Sequence, residues 1–145
     1  MTITKGTEKA LVVWFGIVQS LHLVVLARAL IIFSRTAKLP FPALPPPQGW
    51  SPQAEHFLTG NGIIDAFNIF LSLIFIYGYF KSKSWALKTG LIALTILLYS
   101  ALIFSYVTIN AGAWSAHPYA YGSMVVLYLP IFILTIHFFL NKDIY

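Results

Sequence analysis

Four long apolar stretches, parted by short polar or proline-rich connections, occupy most of this 145-residue chain. They run from Ala10 to Phe33, from about Phe57 to Phe80, from Ala86 to Ile109 and from roughly Ala120 to Leu140. A helix crosses the hydrocarbon core of a bilayer with about 20 apolar residues, so each stretch is long enough to span. Backbone exposed to lipid must satisfy its own hydrogen bonds, which makes helices the expected form. A charged fraction of 9% and a mean hydropathy of +0.80 exclude an ordinary water-soluble domain, whose charged fraction is near a quarter. The expected fold is all-α: one polytopic membrane domain over residues 1–145, built as a four-helix transmembrane bundle. The first apolar run outlasts a signal-peptide core and has no small-residue cleavage site before Arg28, so it reads as a span.

The connections set the topology. Residues 34–56 form the longest, and Leu39 to Pro52 alone holds six prolines, so no helix runs through it. The KSKSW turn, Lys81 to Trp85, joins the second and third spans as a tight antiparallel hairpin. Asn110 to Tyr119 makes the third connection. With four spans, Lys5, Lys9, Lys81, Lys83, Lys88 and Lys142 share one side, against Arg35 and Lys38 on the other. That bias places both termini in the cytoplasm. Trp50, Trp85 and Trp114 fall at expected interfaces, where an amphipathic indole is at home.

Polar residues at membrane depth carry most of the functional information, because hydrocarbon makes them costly. Arg28 lies roughly 9 Å, and Asp65 roughly 6 Å, from the middle of their spans toward the proline-rich side. The two are expected to face each other or share a polar pocket, either as an ion pair that fixes packing or as part of a site. Asp65, Asn68 and Ser72 recur at helical spacing. Gln19 and His22, three residues apart, share a face, whereas Arg28 lies about 120° round from His22. The third span presents Thr95, Tyr99, Tyr106 and Asn110 along one side, and the fourth presents Tyr121, Tyr128 and Thr135. Together these side chains are expected to line a mostly aromatic cavity with a few polar anchors, suited to a hydrophobic small molecule; the plainer reading is hydrogen bonding between packed helices. His22 is the candidate general acid or base. His137 reads as interfacial, and Pro130 is expected to kink the fourth helix.

Other chemistries are excluded or left without support. With no cysteine there is no disulfide, thiolate or cysteine-ligated metal. No Gly-rich phosphate loop, nucleophile elbow or paired-His motif is present, and His56, His117 and Glu55 lack the spacing of a metal site. No cofactor and no metal are expected. The net charge of +5 is spread around apolar segments, as in topology signals and lipid head-group contacts, and does not point to nucleic acid.

The fourth span and tail, AYGSMVVLYLPIFILTIHFFLNKDIY, resemble the C-terminal helix of the EXPERA family, which includes emopamil-binding protein and the sigma-two receptor. The shared pattern is a tyrosine with a small residue, an apolar run, a proline, a Phe/Ile/Leu-rich turn and a short charged tail ending in tyrosine. His22 near the middle of the first span, the proline-containing loop ending at Trp50, Asp65 in the second span and the basic KSKSW turn agree with it. The resemblance implies a four-helix membrane fold with a pocket for a sterol or comparable polycyclic or isoprenoid lipid. It also implies, for the isomerase branch, acidic residues and a histidine that move a ring double bond. Here Arg28 and Leu30 stand where a further acid is expected, and Asp65 paired with Arg28 suits binding better than proton donation.

The sequence thus points to a multi-pass membrane protein that binds a sterol-like or terpenoid ligand, with isomerase or cyclase chemistry at Asp65 and His22. Gln19, Arg28, Asn68, Tyr99 and Tyr128 are the expected ligand contacts. Partners would be that small molecule or lipid, the membrane itself, and a second copy or a larger membrane complex. The alternative is a small accessory subunit of a respiratory or photosynthetic assembly.

Overall fold

The computed structural model describes residues 3–36 and 43–141; Lys38, Leu39 to Pro42 and Lys142 lie outside them. Four long helices and one single-turn helix account for most of this chain: α1 (Lys5–Thr36), α2 (Pro52–Phe80), α3 (Ala86–Asn110), α4 (Ala113–Ala116) and α5 (Pro118–Leu140). All four long helices have the length and apolarity to cross a membrane. They extend past the apolar stretches because a helix does not stop at the hydrocarbon boundary. At α2 the added turn has a local cause: Ser51 accepts a hydrogen bond from the Ala54 backbone N–H, and Pro52 occupies the first turn, where no N–H is missed.

The long helices pack as a square. α1 touches α2 and α5, α3 touches α2 and α5, and the α2·α3 hairpin is the most extensive pair. That hairpin is tight because two glycines admit rings. A Cβ on Gly78 would overlap the Trp85 indole, and a Cβ on Gly90 would overlap the Phe75 ring. The turn between them closes with Lys83 N–H donating to the Gly78 carbonyl at 2.9 Å.

The apolar core lies toward the end that carries Lys5, Lys9, Lys81, Lys83 and Lys88, called here the lysine end. Val12, Phe15 and Val18 of α1 meet Phe75 of α2, Ala93, Leu94 and Leu97 of α3, and Ile131, Leu134 and Phe138 of α5. Toward the opposite, proline end the packing thins: no residue of α1 from Ser20 to Thr36 is buried, nor any of α5 between Gly122 and Pro130. α5 continues as one helix through Pro130, and in the turn that this proline loosens the Trp14 indole donates to the Leu127 carbonyl at 2.9 Å.

Candidate functional site

Immediately on the proline side of the core, the centre of the square turns polar. From α2, Asn61, Asp65, Asn68 and Ser72 point inward at three- and four-residue spacing, toward α3. Asn61 donates to the Ser100 carbonyl at 3.2 Å, Asn68 to the Ala93 carbonyl at 3.0 Å, and Ser72 to the Asn68 carbonyl at 2.7 Å. Ser100 lies beside the Asp65 carboxylate. From α5, the Tyr128 hydroxyl comes within electrostatic reach of Asp65 and within 3.2 Å of His22 Nε2 on α1. Gln19, one turn from His22, is 1% exposed.

This layer is polar but incompletely paired. Both amide atoms of Gln19, His22 Nδ1 and Asn68 Oδ1 are buried and have no hydrogen-bond partner. A buried polar group without a partner is costly, and surrounding hydrocarbon offers it none. These four atoms include one donor, Gln19 Nε2, and the acceptors Gln19 Oε1 and Asn68 Oδ1, while His22 Nδ1 takes either role with its tautomer. Beside the layer, a cleft of about 370 Å³ runs between α3 and α5, with walls that include Leu98, Leu102, Val125 and Phe132, and with Tyr128 at its margin. The volume lies within the range of small-molecule pockets, and the Tyr128 phenol links it to the polar layer.

Of the residues expected at a site, Gln19, His22, Asp65, Asn68 and Tyr128 are thus brought to one level of the bundle. Arg28 and Tyr99 are not. Arg28 is exposed on the perimeter, and no ion pair joins it to Asp65; the shared recess expected of these two charges does not form. Tyr99 is 58% exposed, and Thr95, Tyr106 and Asn110 face outward with it. The inward face of α3 is set instead by its small residues, since Gly90, Ala93 and Ser100 permit the close approach of α2. On α5 the expected face does turn inward, with Tyr121 buried and Tyr128 and Thr135 half-buried.

Sequence reasoning missed a second buried polar cluster at the lysine end. Glu8, 4% exposed, accepts hydrogen bonds from Tyr79 Oη at 2.8 Å and meets His137 Nε2 at 2.9 Å. Asn141 completes the chain at 3.2 Å from His137 Nδ1. His137, in the last turn of α5 at the lysine end, is therefore buried against Glu8. The core of Phe15, Phe75 and Leu134 separates this cluster from the mid-bundle layer.

The proline end is capped by its connections. Tyr121 Oη donates to the Leu44 carbonyl at 2.7 Å, His117 Nε2 lies 2.9 Å from the Pro45 carbonyl, and Gln48 donates to the Ala111 carbonyl at 2.9 Å. Trp114 stacks on Tyr121 with centroids 5.5 Å apart and donates to Thr108 Oγ1 at 2.9 Å. Prolines leave backbone carbonyls without competing N–H neighbours, so this strap serves as an acceptor rail. Among the described residues, no group of three His, Cys, Asp or Glu side chains is placed to hold a metal. Comparison with family models, with curated proteins and with solved structures gives no significant match.

Proposed function

We propose that this chain is a multi-pass membrane protein that holds a hydrophobic, sterol-like or terpenoid molecule, with the polar group of that guest against Gln19, His22, Asp65, Asn68 and Ser100. The observation that carries the reading is a buried polar layer in which His22, Asp65, Ser100 and Tyr128 lie together and the Gln19 amide, His22 Nδ1 and Asn68 Oδ1 have no partner. A guest with one polar end and an apolar body meets both needs of the site: it pairs those atoms and fills the cleft along α3 and α5. The thin packing of α1 beyond Ser20 supports lateral arrival from the bilayer. The lysine excess at one end supports an orientation with both termini in the cytoplasm. Proton transfer on the guest, as in an isomerisation or cyclisation, would fall to Asp65 and His22, which flank the Tyr128 hydroxyl. The likeness to EXPERA proteins rests on the sequence patterns alone.

A second reading, as an accessory subunit of a larger membrane complex, draws on one observation: Arg28, Thr95 and Tyr99 are exposed on helices long and apolar enough to span, where another chain would relieve their cost. Mass spectrometry of neutral lipids carried by gently purified protein separates the two. Binding predicts one enriched polycyclic or isoprenoid species, at near one per chain, that falls at least tenfold in Asp65→Asn. A wild-type protein carrying only bulk phospholipid, or purifying only with other chains, overturns it.

A further inference from the structure

The lysine end holds a second feature, separate from the mid-bundle layer. On the outer side of the α1·α2 pair, a groove of about 460 Å³ is floored by Gly16 and walled by Val13, Ile17, Leu73, Ile76 and Phe80. It reaches from Val12 to Val24 along α1, about 18 Å at helical rise. That is close to the depth of one leaflet, about 15 Å. The wall is apolar, as an acyl chain requires.

What stands at the mouth of this groove is positive. Lys9 extends over the Phe80 ring, its Nζ 5.7 Å from the centroid, and Phe80 itself lines the groove. Lys81 follows Phe80 directly, and Lys5 lies one turn before Lys9 on the same face of α1. Among the described residues the only carboxylate at this end is Glu8, which is turned inward onto His137 and Tyr79. The mouth therefore presents cations to the head-group layer beside a chain-shaped apolar slot. We infer that the α1·α2 groove binds one anionic phospholipid, with an acyl chain along Gly16 and Ser20 and its phosphate against Lys9 and Lys81. A zwitterionic lipid fits the slot equally but lacks the net charge that two lysines attract, each worth roughly fivefold in binding near a surface.

Native mass spectrometry of the full chain, exchanged into equal phosphatidylglycerol and phosphatidylcholine of matched acyl chains, tests this. The wild type should retain one phosphatidylglycerol per chain in clear preference to phosphatidylcholine. Lys9→Gln with Lys81→Gln should lower that retention about thirtyfold. Ser20→Phe, an exposed position whose ring would fill the slot, should lower retention of both lipids and leave the lysines intact. Asp65→Asn should leave phosphatidylglycerol retention unchanged, so failure here is distinct from failure of the mid-bundle reading. Equal retention of the two lipids by the wild type overturns the inference. So does retention that Ser20→Phe leaves intact and inorganic phosphate displaces, since that would be head-group attraction without the groove.

Discussion

Replacing Gln19 with leucine should make the guest-free protein more stable, although it removes a buried hydrogen-bonding side chain. Gln19 is 1% exposed and neither of its amide atoms has a partner. A buried polar group left unpaired costs about 1–3 kcal/mol, and in lipid the lower end applies because the unfolded chain also finds partners there. At about 1 kcal/mol for each of the two amide atoms, the substitution contributes roughly 2 kcal/mol. Leucine is similar in volume and adds apolar contact, so little cavity or overpacking cost opposes the gain. For a chain of this size a kilocalorie moves Tm by roughly 2–4 °C, which gives an increase of about 4–8 °C. The assay is thermal unfolding in detergent, followed by tryptophan fluorescence, on protein stripped of lipid; a bound guest would stabilise the wild type by mass action and mask the difference. The same variant should retain less guest. A Tm that falls or stays fixed would refute the reasoning, because it would mean that the Gln19 amide is satisfied without any guest.

Asn68→Leu should leave the same melt near wild type: it loses the Nδ2 bond to the Ala93 carbonyl but also removes the unpartnered Oδ1, two terms of about 1 kcal/mol and opposite sign. Glu8→Ala should be far more damaging, about 3 kcal/mol or more, since it leaves buried His137 and half-buried Tyr79 without this acceptor; the double change Glu8→Leu with His137→Leu should recover much of that in denaturation experiments. Gly90→Leu should cost at least about 1–3 kcal/mol by overpacking against Phe75, seen as reduced yield of folded monomer by size-exclusion chromatography. Arg28→Leu should leave both Tm and guest retention near wild type, and a large loss in either would restore the Arg28–Asp65 pairing.

The four spans were legible because length and apolarity are local properties. The start of α2 at Pro52 rather than Phe57 was also written locally, in Ser51 and Pro52, but a hydropathy pattern begins at the first apolar residue and passes over a cap. Azimuth was harder to read than length. The sequence places Arg28 and Asp65 at similar expected depth, yet six helical steps from His22 already turn Arg28 away from the face that meets Tyr128. The hydroxyl-bearing side of α3, expected to face inward, faces outward. Close approach of two helices in lipid is governed by side-chain volume, and Gly90, Ala93 and Ser100 outweighed Thr95, Tyr99 and Tyr106. Glu8 carried no local sign of burial, because its partners lie 71 and 129 residues away in sequence.

An experimental density map of the full chain, purified with its native lipids into nanodiscs, tests the central claim most directly. The account predicts non-protein density at mid-bundle, in contact with the Gln19 amide and the Asp65 carboxylate and continuing toward Tyr128. Helices closed at that level, with the Gln19 amide and Asp65 carboxylate bonded to neighbouring side chains and no additional density, would contradict it.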